Sequence, residues 1–327
     1  MSAMPQILTC SSDTEPGIAR RTRGKGFSYH LPDGDKVTCK KTLARIETLA
    51  VPPAWRDVWI CSHDHGHIQA TGYDARDRKQ YRYHEKWREH RDMLKYAALP
   101  EFGDHLPALR QRVRRDLSRN RPDKDFVCAA LVRLLDRAAL RVGTDAYARE
   151  NQTYGATTLR MKHLSLLDEG NIKLDFTAKG GKRVRKQVKD STLHRAMERI
   201  GDLKGYEVFH YLDEDGERHG VDSGDVNDYL AETLEGDFSA KTFRTWHGTL
   251  AAFEEALEAD ELTIKAMCER ASGVLHNTPA ICRSSYIHPD VIALADAGDR
   301  AKRLTTTEKA RRSGLRVAEA RLLEFLG

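Results

Sequence analysis

The amino-acid sequence predicts an α+β protein in two parts: a small sheet-rich N-terminal domain, then a mostly helical domain interrupted by one β-hairpin. Three observations predict it. From Arg20 to about Lys95, short stretches of strand character are punctuated by Pro-Asp-Gly at 32–34 and by Pro52-Pro53. Beyond Pro100 the apolar residues recur at every third or fourth position, the spacing of one helical face. Within that helical region, two short stretches of strand character, residues 172–176 and 183–188, flank Gly180-Gly181, a turn for which glycine supplies the conformational freedom. The 327 residues, 40% of them hydrophobic, suffice to bury a core in each part.

Taken in chain order, residues 1–19 contain Pro5, Pro16 and Gly17 without sustained periodicity and are expected to form a flexible arm. The sheet-rich domain, residues 20–98, has expected strands at 26–30, 36–39, 58–61, 67–73 and 79–84, with one helix over 42–49. Residues 73–83 read as a hairpin turning at Asp74-Ala75-Arg76-Asp77. Tyr81 and Tyr83 then share a face, because strand side chains alternate. In the helical domain, residues 99–327, helices are expected over 106–117, 126–140, 226–234, 240–257, 261–275 and 306–325. The hairpin of 172–176 and 183–188 lifts Lys179 away from its sheet. Thr278-Pro279 marks a helix start, which puts Tyr286 about two turns on, near the end of a short helix.

The formal charge of +5, from 54 Lys and Arg against 49 Asp and Glu, is unremarkable in sum but uneven in placement. Residues 20–95 hold 17 basic and 10 acidic side chains and residues 173–199 hold 9 and 3, whereas residues 251–300 hold 4 and 9. Two basic regions of this kind suit a polyanionic partner. A mean hydropathy of −0.62 and the absence of long apolar runs exclude a membrane-spanning helix. The N-terminus lacks the features of a signal peptide, so a cytoplasmic location is expected. The six cysteines show no Cys-x-x-Cys spacing and predict neither a disulfide framework nor a thiolate zinc site. The run Cys61 to His67 contains three histidines, but Asp64 and Gly66 make it a loop without a second ligand cluster, so no metal site is predicted.

Five stretches resemble the type IB DNA topoisomerases, most closely the compact poxvirus-like members found in bacteria. They are Leu140-Arg141-Val142-Gly143 continuing through Glu150 to Leu164, Phe176-Thr177-Ala178-Lys179-Gly180, Lys241-Thr242-Phe243-Arg244-Thr245-Trp246, Asn277 to Tyr286 and, in the N-terminal domain, Gly72 to Tyr83. The resemblance spans residues 24–289 and implies a catalytic fold shared with the tyrosine recombinases. It implies Tyr286 as nucleophile, with Arg141, Lys179, Arg244 and Asn277 around the scissile phosphate of double-stranded DNA. Arg78, Lys79, Tyr81 and Tyr83 are implied to contact the major groove and Tyr147 to make a flanking contact, with a monomer encircling the duplex near the nucleoid.

The implied roles suit the residue types. Two guanidiniums remain charged at any working pH and grip nonbridging phosphoryl oxygens with forked donors. An ammonium on a hairpin tip is placed to protonate the leaving 5′ oxygen. Many family members carry histidine at the position of Asn277. The carboxamide donates a hydrogen bond but does not titrate, so Asn277 is read as a transition-state donor and not a base. The implied reaction is relaxation of positive and negative supercoils through a 3′-phosphotyrosyl intermediate, with neither ATP nor a metal as cofactor, and no G-x-x-x-x-G-K-[ST] loop occurs in the sequence. Two competitors are a tyrosine recombinase-like strand-transfer enzyme and a non-catalytic duplex-binding relative. Against the first, Lys241-Thr242-Phe243-Arg244 stands where recombinases carry His-x-x-Arg, and their arm-binding domain is helical.

Overall fold

The computed structural model describes all residues except Met1–Met4, Gln6, Lys25 and Lys204, and the side chains of Ala146, Tyr147 and Ala301. It forms two units, residues 1–97 and residues 98–327.

In the first unit, strands β1 (Ile18–Arg23) and β2 (Gly26–His30) precede helix α1 (Lys40–Thr48), strands β3 (Arg56–Ile60), β4 (Ile68–Tyr73) and β5 (Lys79–Tyr83), and helix α2 (Glu85–Ala97). The strands make one antiparallel sheet in the order β2-β1-β3-β4-β5. Its core is small: Ile18, Val37, Ile46, Val58, Ile60 and Ala70, with Leu43 and Leu49 of the α1 region packed against it. Val58 and Ile60 enter it together because they are two residues apart on β3.

Two expectations fail here. Residues 36–39 make no strand beyond a bridge from Lys36 to His30, because Cys39 already leads into the first turn of α1. The arm expected over 1–19 is packed from Leu8 onward. Leu8 and Ser11 are buried, Thr9 bridges Gly66, and Ile18 opens β1 at the centre of the core. Ser11 exchanges hydrogen bonds with the backbone of Ile68, and the Trp59 indole donates to the Glu15 carbonyl at 2.9 Å. Polar and backbone partners hold this stretch, so hydrophobic periodicity gave no sign of it.

The second unit begins with helices α3 (Leu99–Asp116), α4 (Lys124–Ala138) and α5 (Asp145–Asn151) and the antiparallel sheet β6 (Leu164–Leu167), β7 (Asn171–Ala178) and β8 (Lys182–Lys189). Helix α6 (Ser191–Gly201), the ribbon β9 (His210–Leu212) and β10 (Arg218–Gly220), and helices α7 (Ser223–Ala231), α8 (Thr242–Glu258), α9 (Ile264–Leu275), α10 (Pro279–Ser285), α11 (Pro289–Ile292), α12 (Arg300–Thr305) and α13 (Val317–Leu326) follow. Helices α4 and α8 are apolar around most of their circumference and run through the middle of the core, as such helices must. Phe102 of α3 meets Phe243 and Trp246 of α8 edge-on, with centroids 5.2 and 6.1 Å apart. Of the continuous helix expected over 306–325, only the part from Val317 onward forms, as α13, and residues 306–316 after α12 are turns and coil. Gly314 there adopts φ +83°, and its carbonyl accepts from Arg110 at 2.9 Å. The α+β class, with its N-terminal sheet and its hairpin in a helical domain, is as expected.

Candidate active site

Helix α4 starts at Asp123, whose carboxylate accepts from the Phe126 amide, and ends where Ala139 turns left-handed at φ 51°. The chain leaves the helix there and carries Arg141 outward. The Arg141 and Val142 carbonyls accept from the Ala156 and Thr157 amides, both at 2.8 Å. Gly143 and Gly155 pack backbone to backbone: a Cβ on Gly155 would lie 2.5 Å from the Gly143 Cα, so no larger residue fits. The same segment ties Tyr154 to Thr177 through a 2.8 Å backbone bond and thereby reaches the hairpin.

The β7–β8 hairpin is fully paired from Asn171↔Lys189 to Ala178↔Lys182. Its tip is Lys179-Gly180-Gly181, with both glycines at positive φ, and Lys179 is exposed there. Helix α9 ends at His276, also left-handed, and presents Asn277. Asn277 is buried and held by its backbone to Ser272, and its Oδ1 accepts from Arg141 Nη2 at 2.9 Å. A guanidinium has no acceptor, so this bond fixes the amide's orientation and leaves Nδ2 as its donor end.

Arg244 lies in α8 and is only 3% exposed. Its Nη1 donates to the Ala139 carbonyl at 2.5 Å and its Nη2 to the Leu275 carbonyl at 3.1 Å, while Nε has no acceptor among the described residues. The guanidinium carbon sits 5.0 Å from the centroid of the Tyr286 ring. Tyr286 follows α10, whose start is capped by the Thr278 hydroxyl with Pro279 in the first turn. Gly248 admits this segment against α8, since a Cβ there would lie 2.6 Å from the Tyr286 carbonyl. Thr249 donates to that carbonyl at 3.2 Å and accepts from the His288 amide at 3.0 Å.

Arg141, Lys179, Arg244 and Tyr286 line one cleft of about 440 Å3, together with Lys241, Ser223 and Tyr154. Asn277 reaches the same group through Arg141. Burial raises the Tyr286 phenol, but the charges of Arg244, Arg141 and Lys241 outweigh it and hold the group below the ordinary tyrosine range. Burial also lowers Arg244 from the usual guanidinium value, which leaves it charged at any working pH. The arrangement can bind a phosphodiester with cations and hydrogen-bond donors while facing it with a partly activated hydroxyl.

The other residues singled out in the sequence lie in the first unit or outside the description. Tyr81 and Tyr83 are exposed on one face of β5 and stack, with centroids 5.8 Å apart and planes 14° from parallel. Arg78 pairs with Asp74 at 2.7 Å and Lys79 with Asp13 at 2.6 Å. The Arg78 hydrogen bond, opposed by some burial, lowers Asp74 to about 2. The side chain of Tyr147, on α5, lies outside the described residues. No group of three metal-ligating side chains is found among the described residues, and no described helix is long and apolar enough to cross a membrane.

Sequence reasoning passed over Lys186 and Lys241. Lys241 opens the Lys241-Thr242-Phe243-Arg244 stretch, where nothing local marks it off from other lysines. Lys186 was hidden among the cations of β8, where nothing in the sequence separates a half-buried lysine from its solvated neighbours.

Family models and sequence relatives agree in direction. The family model for the catalytic core of eukaryotic DNA topoisomerase I matches residues 84–284, and that for the N-terminal domain of bacterial DNA topoisomerase IB matches residues 26–74. DNA topoisomerase 1B of Acanthamoeba polyphaga mimivirus is 30% identical over 286 residues, covering 83% of this chain and 85% of the viral protein. DNA topoisomerase 1 of Schizosaccharomyces pombe is 26% identical over 172 residues, covering 50% of this chain but 19% of that longer protein. Among solved structures, the XerH site-specific recombinase bound to its palindromic difH substrate overlays on 60% of this chain and 51% of its own, with a TM-score of 0.40 and 15% identity.

Proposed function

From the premise that this chain belongs to the type IB DNA topoisomerase family, and so is a DNA-acting isomerase, we propose that it relaxes positive and negative supercoils of duplex DNA through a covalent tyrosyl intermediate. The single observation that carries this reading is the convergence of Arg141, Lys179, Arg244 and Tyr286 on one cleft, with Asn277 bonded to Arg141.

In the proposed reaction the Tyr286 oxygen attacks phosphorus and forms a 3′-phosphotyrosyl bond as the bond to the 5′ oxygen breaks. The tyrosine proton leaves to water, and Lys179 protonates the departing oxygen. Charge builds on the nonbridging oxygens in the five-coordinate state. Arg141, the free Nε donor of Arg244 and the Asn277 amide meet that charge from positions fixed before DNA arrives, so little reorganisation is needed. The nicked strand swivels, and the 5′ hydroxyl attacks back with the bond energy conserved. On this reading the guanidiniums supply the stabilisation that a divalent ion gives in other phosphoryl-transfer sites, and no nucleotide is consumed. The exposed Tyr81 and Tyr83 and the cations of the β4–β5 hairpin suit groove and phosphate contacts.

Relaxation of a supercoiled plasmid in EDTA without ATP tests the proposal. Tyr286→Phe is expected to bind DNA and form no adduct. An adduct trapped by that variant would place the nucleophile elsewhere.

A further inference from the structure

Lys186 stands on β8, opposite Leu174 of β7, in the hairpin that carries Lys179 at its tip. Its Nζ donates to the Ala138 carbonyl at 2.6 Å and to the Val274 carbonyl at 2.9 Å. One residue further along each chain, Arg244 takes the Ala139 and Leu275 carbonyls. Two cations thus bridge the same pair of helix ends, those of α4 and α9, at successive residues. Arg141 follows two residues beyond Ala139, and Asn277 two beyond Leu275. The two are then bonded to each other at 2.9 Å.

We propose that Lys186 is a positioning residue for the reaction: from the strand of the lysine hairpin it clamps the ends of α4 and α9 and so fixes Arg141 and Asn277 relative to Lys179, without touching DNA itself. This rests on the reading of Arg141 and Asn277 as phosphate ligands.

The site favours such a role. Carbonyls at a helix C-terminus lack intrahelical partners and carry partial negative charge, so one ammonium shared by two helix ends satisfies both. Burial pushes the Lys186 ammonium down to about 8. A cation held against that cost, where an apolar chain would pack, is accounted for by the two bonds it makes. Beside it lies a cavity of about 410 Å3, also lined by Arg137, His247 and Val274.

The test is a mutant cycle on single-turnover adduct formation with saturating duplex DNA. Lys186→Met removes the donors and keeps the length, and Lys186→Arg restores donors with a fork like that of Arg244. Lys186→Met is expected to slow adduct formation by tenfold or more with DNA affinity changed less than twofold, and Lys186→Arg to recover most of the rate. In an Arg141→Ala/Asn277→Ala background, Lys186→Met is expected to cost less than threefold, because the groups it positions are gone. A full tenfold loss in that background overturns the inference, as does a Lys186→Arg enzyme no faster than Lys186→Met. Should Lys186→Met not fold, Lys186→Gln takes its place in the cycle with the same criteria. Arg141→Ala and Asn277→Ala alone check the underlying reading. If neither slows adduct formation, the phosphate assignment fails, whereas slow single variants with an additive cycle remove Lys186 only.

Discussion

Replacing Arg244 separates two things that one guanidinium does. Its Nη1 and Nη2 satisfy the buried carbonyls of Ala139 and Leu275, while Nε has no acceptor among the described residues and the charge lies over Tyr286. In Arg244→Ala both carbonyls lose their partner, and a buried acceptor left unsatisfied costs about 1–3 kcal/mol, so unfolding free energy should fall by roughly 2–6 kcal/mol. The loss of one preorganised donor in the proposed transition state should slow adduct formation by about 100- to 1,000-fold. Lysine has one nitrogen and a shorter reach. Arg244→Lys should therefore regain part of the stability and little of the rate. Urea unfolding and single-turnover adduct formation, measured on the same preparations, read the two effects separately. A lysine variant within threefold of the parent rate would refute the need for a fork. An alanine variant as stable as the parent would refute the anchoring of the helix ends.

Three further outcomes are expected. His247 is buried in α8, and its Nε2 has no hydrogen-bond partner among the described residues. Burial, opposed by Asp136 and Glu319 and aided by Arg316 and Lys186, lowers it from 6.5 to about 4. The unfolded chain therefore binds this proton first as the pH falls, so the contribution of His247 to stability is constant above 6.5 and is lost between 6.5 and 4, by about 3 kcal/mol. Urea midpoints at pH 7 and pH 4.5 should differ less in His247→Leu, and an unchanged difference would assign the acid sensitivity elsewhere. In the first unit, Asp13 occupies Lys79 at 2.6 Å with Thr71 bonded to the same carboxylate. Asp13→Asn should free one cation for phosphate, tightening DNA binding at low salt and steepening the log–log salt slope by about 1. An unchanged slope would mean that Lys79 meets no phosphate. For the parent protein, affinity for duplex DNA should fall steeply with salt, and a flat response would contradict phosphate contacts altogether.

The sequence was most informative where local chemistry dictates local shape. Thr278-Pro279 foretold the start of α10 and the place of Tyr286 at its end, because a hydroxyl cap and a proline act within one turn. Gly180-Gly181 foretold the tip that exposes Lys179, because both residues need positive φ. The first residues were misread for the opposite reason: β1 reads Ile-Ala-Arg-Arg-Thr-Arg, with its apolar residues at one end, and the stretch before it is held by bonds to residues more than fifty positions away. The helix expected over 306–325 followed periodicity across Gly314, whose conformation is set by packing against Pro107 and by Arg110. Lys186 was invisible because its role depends on two helix ends that meet only in the folded chain.

The Thr249 hydroxyl, which grips the Tyr286 carbonyl and the His288 amide together, bears on what happens while a strand is open. If Tyr286 carries the 3′ end of broken DNA, the torque of an unwinding plasmid passes into this residue. The link ties it to the middle of the most buried helix and not to a pliant loop. One end of the break is then moored to the protein interior while the other turns, so the rejoining hydroxyl returns to a phosphorus that has not moved.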